Sequence, residues 1–172
     1  AVREVILPDS LTSLGEETVE IVNFPYQGGV FSNCVNLETL KISAGLSDIR
    51  DFMFHNCRAL KEVIIPSGVK SIGKNAFFNC RALQKADLGS VETIGLYGFG
   101  QTALQEVTIP GTVISLGEAV FSGCRELSSV TLGDGITSLG LVLFENCTSL
   151  KDITIPDSVV SIFSDTQKDG RT

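Results

Sequence analysis

Residues Cys57 to Lys85 read CRALKEVIIPSGVKSIGKNAFFNCRALQK, and the fold follows from how this stretch restarts. Cys57, Leu60, Val63, Ile65-Pro66, Val69, Ile72-Gly73, Ala76-Phe77 and Asn79-Cys80 complete one 23-residue unit, and Leu83 begins the next in the place of Leu60. A fixed period of this size is the signature of a solenoid, in which each coil is too small to bury its own apolar side and must stack on its neighbours.

The period holds outward from that stretch. Leu37, Leu60, Leu83, Leu104, Leu127 and Leu150 are separated by 23, 23, 21, 23 and 23 residues. The same rhythm carries Phe31, Phe54, Phe77, Phe99, Phe121 and Phe144, and also Ile42, Ile65, Leu88, Ile109, Leu132 and Ile155. One coil is short, losing a residue between Leu88 and Val91 and another between Thr102 and Leu104. About seven coils are expected, the first and last incomplete.

Within a coil, Leu-x-x-Val-x-Ile alternates inward apolar and outward variable positions, the pattern of a half-buried strand. Stacking pairs these strands into a parallel sheet. Pro66, Pro110 and Pro156, with Gly89 and Gly133 in the same column, end each strand, because Pro lacks the donor a ladder needs and Gly breaks it conformationally. Pairs such as Val69 and Ile72 form a second short extended side. The stretch Gly73 to Phe77 reads as about one helical turn.

Two segments leave the pattern. The Phe column should follow Gly15 by four residues, yet Phe31 follows by sixteen, so about twelve residues are inserted within 16–30. After Ile162 the apolar columns fail. The expected organisation is a single solenoid domain over residues 1–163 and a polar tail or the start of a further segment over 164–172.

A formal charge of -7 excludes a nucleic-acid phosphate backbone as partner, which demands a basic stripe. No apolar run reaches the roughly 18 residues that a membrane-spanning helix needs. The chain opens on a strand pattern, Val2 to Pro8, so a secretion signal has been removed or the chain is an excised piece, and localisation stays open.

All five cysteines, Cys34, Cys57, Cys80, Cys124 and Cys147, fall in one column, with Thr102 in the sixth place. Without a C-x-x-C pair, and with His55 outside the column, they read as a buried structural ladder, not a metal site or disulfide framework. Asn33, Asn56, Asn79 and Asn146 read as turn residues capping backbone groups. Ser13, Asp48, Ser71, Thr93, Ser115, Ser138 and Ser161 make a polar column expected to bond to itself and to turns. No nucleophile has an evident base, so catalysis and cofactors are not expected.

A binding surface belongs on the outward positions of the main strand, among them Lys41, Lys61, Glu62, Ile64, Lys85, Asp87, Glu106 and Thr108. Charges of both signs alternate there without aromatics, and the competing reading is a solvated face. The insert adds Glu16, Glu17, Glu20 and Tyr26, the charge and aromatic anchor which that face lacks; the competing reading is a passive bulge or edge strand.

The unit Leu-x-x-Val-x-Ile-Pro-x-x-Val-x-x-Ile-Gly-x-x-Ala-Phe-x-x-Cys resembles the BspA-like, or Treponema pallidum-type, leucine-rich repeat over residues 31–162, and residues 2–15 more loosely. The resemblance implies an α/β, right-handed leucine-rich-repeat solenoid with a parallel β-sheet on one face and short strands and helical turns elsewhere. It also implies surface or secreted proteins that adhere to other proteins, without shared catalytic residues. Arg50-Asp51-Phe52-Met53 departs from the Gly-x-x-Ala part of the unit. Two functions follow as expectations: a non-catalytic interaction module for a protein partner, or a structural subunit or scaffold with contacts at its open ends.

Overall fold

A computed structural model describes residues 1–14 and 29–162. Glu16, Glu17, Glu20 and Tyr26 of the insert, and the tail at 164–172, lie outside the described residues. The chain winds as a β-solenoid of about 5 turns with coils of ~23 residues.

A complete coil contributes a main strand and, on a second side, a two-residue strand; the first coil forms only the main strand and the last only the second-side one. The main strands are β1 (Glu4–Ile6), β2 (Thr39–Lys41), β4 (Glu62–Ile64), β6 (Lys85–Asp87), β8 (Glu106–Ile109) and β10 (Ser129–Leu132). The second side holds β3 (Asp48–Ile49), β5 (Ser71–Ile72), β7 (Thr93–Ile94), β9 (Ser115–Leu116), β11 (Ser138–Leu139) and β12 (Ser161–Ile162). All pairs are parallel and in the register that the columns predict, for example Val63 opposite Ala86 and Ile72 opposite Ile94.

The two sides differ in continuity. A single broad sheet on the main-strand side is expected, but these strands pair two by two, as β1-β2, β4-β6 and β8-β10. The longest hydrogen-bonded sheet is on the second side, in the order β3-β5-β7-β9. Gly73, Gly95 and Gly117 follow it, and a Cβ there would meet the preceding coil's backbone at 2.5 to 2.7 Å.

The expected helical turns are not formed, and no helix occurs among the described residues, which corrects the α/β assignment to all-β. The reason is a left-handed residue at both ends of the segment. Asn75 and Asn79 have φ of 54° and 62°, so only Ala76, Phe77 and Phe78 lie between them, too few for a helical ladder. Hydrogen bonding alternates instead. The N–H groups of Asn75, Phe77 and Asn79 donate to Leu96, Gly98 and Gly100 of the next coil, while those of Ala76, Phe78 and Cys80 close four-residue turns within their own coil. Phe52 to Cys57 repeats the same scheme, so the departure at Arg50 to Met53 leaves stacking intact, with Met53 buried in the place of Ala76.

The core is a line of ladders between the two strand sides. Phe31, Phe54, Phe77, Phe99, Phe121 and Phe144 stack ring on ring, with centroids 5.1 to 5.9 Å apart and planes within 13° of parallel. Leu37, Leu60, Leu83, Leu104 and Leu127 are fully buried beside them.

Candidate functional site

The main-strand face places its predicted residues outward, as the alternation requires: Lys41, Lys61, Glu62, Ile64, Lys85, Asp87, Glu106 and Thr108 are all exposed. They do not converge on one site. Lys41 is drawn off by Asp9, whose carboxylate accepts its ammonium at 3.2 Å. That hydrogen bond from Lys41, followed by the Ala44 N–H, holds the Asp9 carboxyl below its usual value. Glu62 faces Lys85 across the β4-β6 ladder, and Ile64, 64% exposed, faces Asp87.

The one place where four of these residues meet is the junction of β6 and β8. These neighbouring strands form no ladder with each other, β6 pairing with β4 and β8 with β10, and the junction is bridged just before them by the Gln105 N–H donating to the Gln84 carbonyl at 3.4 Å. Over these strands and β10 opens a cleft of about 460 Å³, with Lys85 and Asp87 on one lip, Glu106 and Thr108 across its middle and Ser129 and Thr131 on the far lip. Ala86 stands where the neighbouring coils carry Val63 and Val107, so the inward side chain is small at this point. The short coil's missing residue, between Leu88 and Val91, lies at the end of the same cleft. Asp87 is partly committed, since its Oδ1 accepts the Gly89 N–H at 2.9 Å and shapes the tightened turn.

The cysteine column is a hydrogen-bonded ladder. Cys34 is half-buried and the other four are buried and free. Cys57, Cys80, Cys124 and Cys147 donate their thiols to the carbonyls of Phe31, Phe54, Phe99 and Phe121, one coil back, at 3.1 to 3.3 Å. Burial pushes the Cys80 and Cys124 thiols up and that of Cys147 up to about 11, so these groups stay protonated and poorly nucleophilic. Among the described residues, no three His, Cys, Asp or Glu side chains come together as metal ligands would. The polar column on the second side does not bond as expected: the hydroxyls of Ser71, Thr93, Ser115 and Ser138 make no side-chain hydrogen bond among the described residues and lie at the surface.

One cluster escapes the column reading. His55 lies flat on Phe78, with centroids 5.8 Å apart and planes at 10°, and edge-on to Phe52 at 5.9 Å. Tyr97 meets Phe78 at 5.6 Å. These half-buried rings line the turn side across three coils, and burial lowers the His55 pKa. Their signal was weak, because Phe52, His55, Phe78 and Tyr97 come from two different columns whose other members are mostly not aromatic.

The BspA-type leucine-rich repeat region, as a family model, matches residues 27–100 and 92–168 with 6 copies. The chain belongs to this family. Among solved structures, a leucine-rich repeat protein from Bacteroides ovatus is 34% identical with a TM-score of 0.73, over 77% of this chain and 35% of that one. The T. pallidum leucine-rich repeat protein is 27% identical with a TM-score of 0.58, over 92% of this chain and 59% of that one. A leucine-rich repeat protein from Eubacterium ventriosum, 20% identical with a TM-score of 0.59, shares the fold over 93% of this chain and 48% of its own. The chain therefore spans less than two thirds of each of these proteins. No curated protein matches it. The BspA-type pattern accounts for the Leu, Phe and Cys ladders; Ala86 and the two missing residues of the short coil depart from the repeat of the other coils.

Proposed function

We propose that this chain is a non-catalytic interaction module that holds a protein partner along its main-strand face, centred on the cleft over β6, β8 and β10. The observation that carries the reading is the meeting of Lys85 and Asp87 with Glu106 and Thr108 across a junction without ladder bonds. A cleft with both charge signs suits a polar protein surface, where complementary charges set register and encounter rate. Lys41, Lys61, Glu62 and Ile64 extend the surface along the stack. Membership of the BspA-type family favours adhesion at a cell surface as the setting.

A photo-crosslinker in place of Thr108, with a second in place of Ser71 on the other side, tests this against an extract of surface and matrix proteins. Capture from position 108 alone, abolished by the charge reversals Lys85→Glu and Glu106→Lys, supports the cleft. A scaffold that makes contact through its ends would give capture from neither position.

The insert is proposed as a second contact, through Glu16, Glu17, Glu20 and Tyr26. Deleting residues 17–28 should leave the melting transition in place while weakening capture. Unfolding without a separable loss of binding would make the segment a cap.

A further inference from the structure

Along the edge where the turns lead into the main strands, side chains form a regular polar ladder through three coils. Asn56 Nδ2 donates to Asn33 Oδ1, and Asn79 Nδ2 to Asn56 Oδ1, each at 2.7 Å. Arg58 and Arg81 sit on top, each donating Nε at 2.7 Å to the asparagine two residues before it. Each asparagine amide and each arginine Nε in this run has a protein partner.

The short coil breaks the scheme. Gln101 takes the asparagine place, and the missing residue leaves Ala103 where Arg58 and Arg81 have their counterpart. In the following coil Gly123 takes the asparagine place, so Arg125 finds no amide oxygen two residues behind it. The consequence is local. Among the described residues, the side chains of Gln101, Arg125 and Asn146 make no hydrogen bond to protein, whereas Asn33, Asn56, Asn79, Arg58 and Arg81 all do.

The lost residue also leaves space. A notch of about 440 Å³ opens over Thr102 and Ala103, which are only 5% and 8% exposed and form its floor. Arg81 and Arg125 wall it, one coil to either side, and Gln101 and Asn146 flank it. The Thr102 hydroxyl is already used, donating to the Phe99 carbonyl at 2.9 Å and lying 3.1 Å from Cys124 Sγ, so the floor offers shape and not polarity. Glu126 stands at the rim, which leaves two cations against one anion in a chain whose net charge is -7. Nearby Glu145 is turned onto Ser122, whose hydroxyl donates to it at 3.3 Å.

We propose that this notch docks an acidic side chain of a polypeptide, with its carboxylate over Ala103 between the Arg81 and Arg125 guanidiniums. Coils stack at about 4.8 Å, so a group centred over Ala103 stands one coil from each arginine, within reach of both forks. Gln101 offers a donor and an acceptor in the same coil, and Asn146 another pair two coils on, past Arg125, to meet C=O and N–H groups of the peptide that carries the acidic residue. A bare anion would use the arginines and leave the amide oxygens idle. The notch shares no lining residue with the main-strand cleft, so it stands independently of that reading.

The test is an NMR titration with an acetylated, amidated Gly-Gly-Glu-Gly-Gly peptide, reading the side-chain Nε–Hε and amide resonances. Shifts confined to Arg81, Ala103, Arg125, Gln101 and Asn146, weakened about tenfold or more by Arg125→Gln and untouched by Arg58→Gln, are expected. Arg125 is exposed, so its replacement does not threaten folding. Equal shifts from the Gly-Gly-Lys-Gly-Gly peptide, or the same loss from Arg58→Gln, overturn the site. Acetate that reproduces every shift at the same concentration overturns the polypeptide assignment, leaving a free-anion site.

Discussion

The rings of Phe77 and Phe99 lie 5.1 Å apart and 9° from parallel, the tightest step in the aromatic ladder, and this step leads from a regular coil into the short one. Both side chains are fully buried. Phe77→Ala removes the ring between two stacked neighbours and leaves a cavity that stiff coils cannot close, so it should cost about 3 to 5 kcal/mol in a denaturant melt. A loss under about 1 kcal/mol would show that the stack collapses into the gap.

Thiol chemistry should divide the cysteine column. Cys34 is half-buried, and four thiols sit behind the coils with their S–H groups on carbonyls. A maleimide at pH 7 should label Cys34 first and the other four only after denaturation. Rapid labelling of Cys80 in the folded chain would contradict the ladder.

Most of the fold was legible because a solenoid repeats its evidence: a column that keeps phase through Phe54, Phe77 and Phe99 can only face the neighbouring coil. The helical turn was misread for a definite reason. Gly73, Ala76 and Phe77 have the spacing of one helical face, and the contrary signal was the left-handed tolerance of Asn75 and Asn79. At Phe52, Tyr97, Ala119 and Val142, which share the backbone of Asn75, the residue type carries no such signal. The main-strand cleft could be anticipated only as outward positions, because the pairing of β6 away from β8 is a property of the stack and not of either strand.

Asn56 does two jobs, and two substitutions separate them. Its φ of 62° is left-handed, and its side chain donates to Asn33 while accepting from Asn79 and Arg58. Asn56→Gly relieves the backbone but loses the ladder, whereas Asn56→Ala loses both. Alanine should therefore be less stable than glycine by about 1 kcal/mol, the cost of a Cβ in that region. Equal stabilities would mean that the backbone relaxes out of the left-handed region.

His55 should make the protein acid-sensitive above the carboxylate range. Burial lowers its pKa in the folded chain from the ordinary 6.5, so the unfolded chain binds the proton first as pH falls. Stability is then fully present above about pH 6.5 and declines as pH drops toward the folded value. Melts at pH 7 and pH 5.5 should differ less for His55→Phe than for the natural chain. Identical differences would assign the acid sensitivity elsewhere.

Val142 is a β-branched residue held at φ 47°, where such side chains are genuine outliers. The repeat sets this backbone in the earlier coils, where the same column holds Asn75 at 54° and Tyr97 at 53°, each donating its N–H to the next coil. For an L-residue the left-handed region costs about 1 to 2 kcal/mol, and asparagine tolerates it better. Against this relief stands the apolar burial lost with valine, which is small because the side chain is 49% exposed. The strain wins by roughly 0.5 kcal/mol, so Val142→Asn should raise the denaturant midpoint without changing the slope. Val142→Thr keeps the branching and should gain nothing. A midpoint lowered by Val142→Asn would show that the valine's packing outweighs its backbone strain.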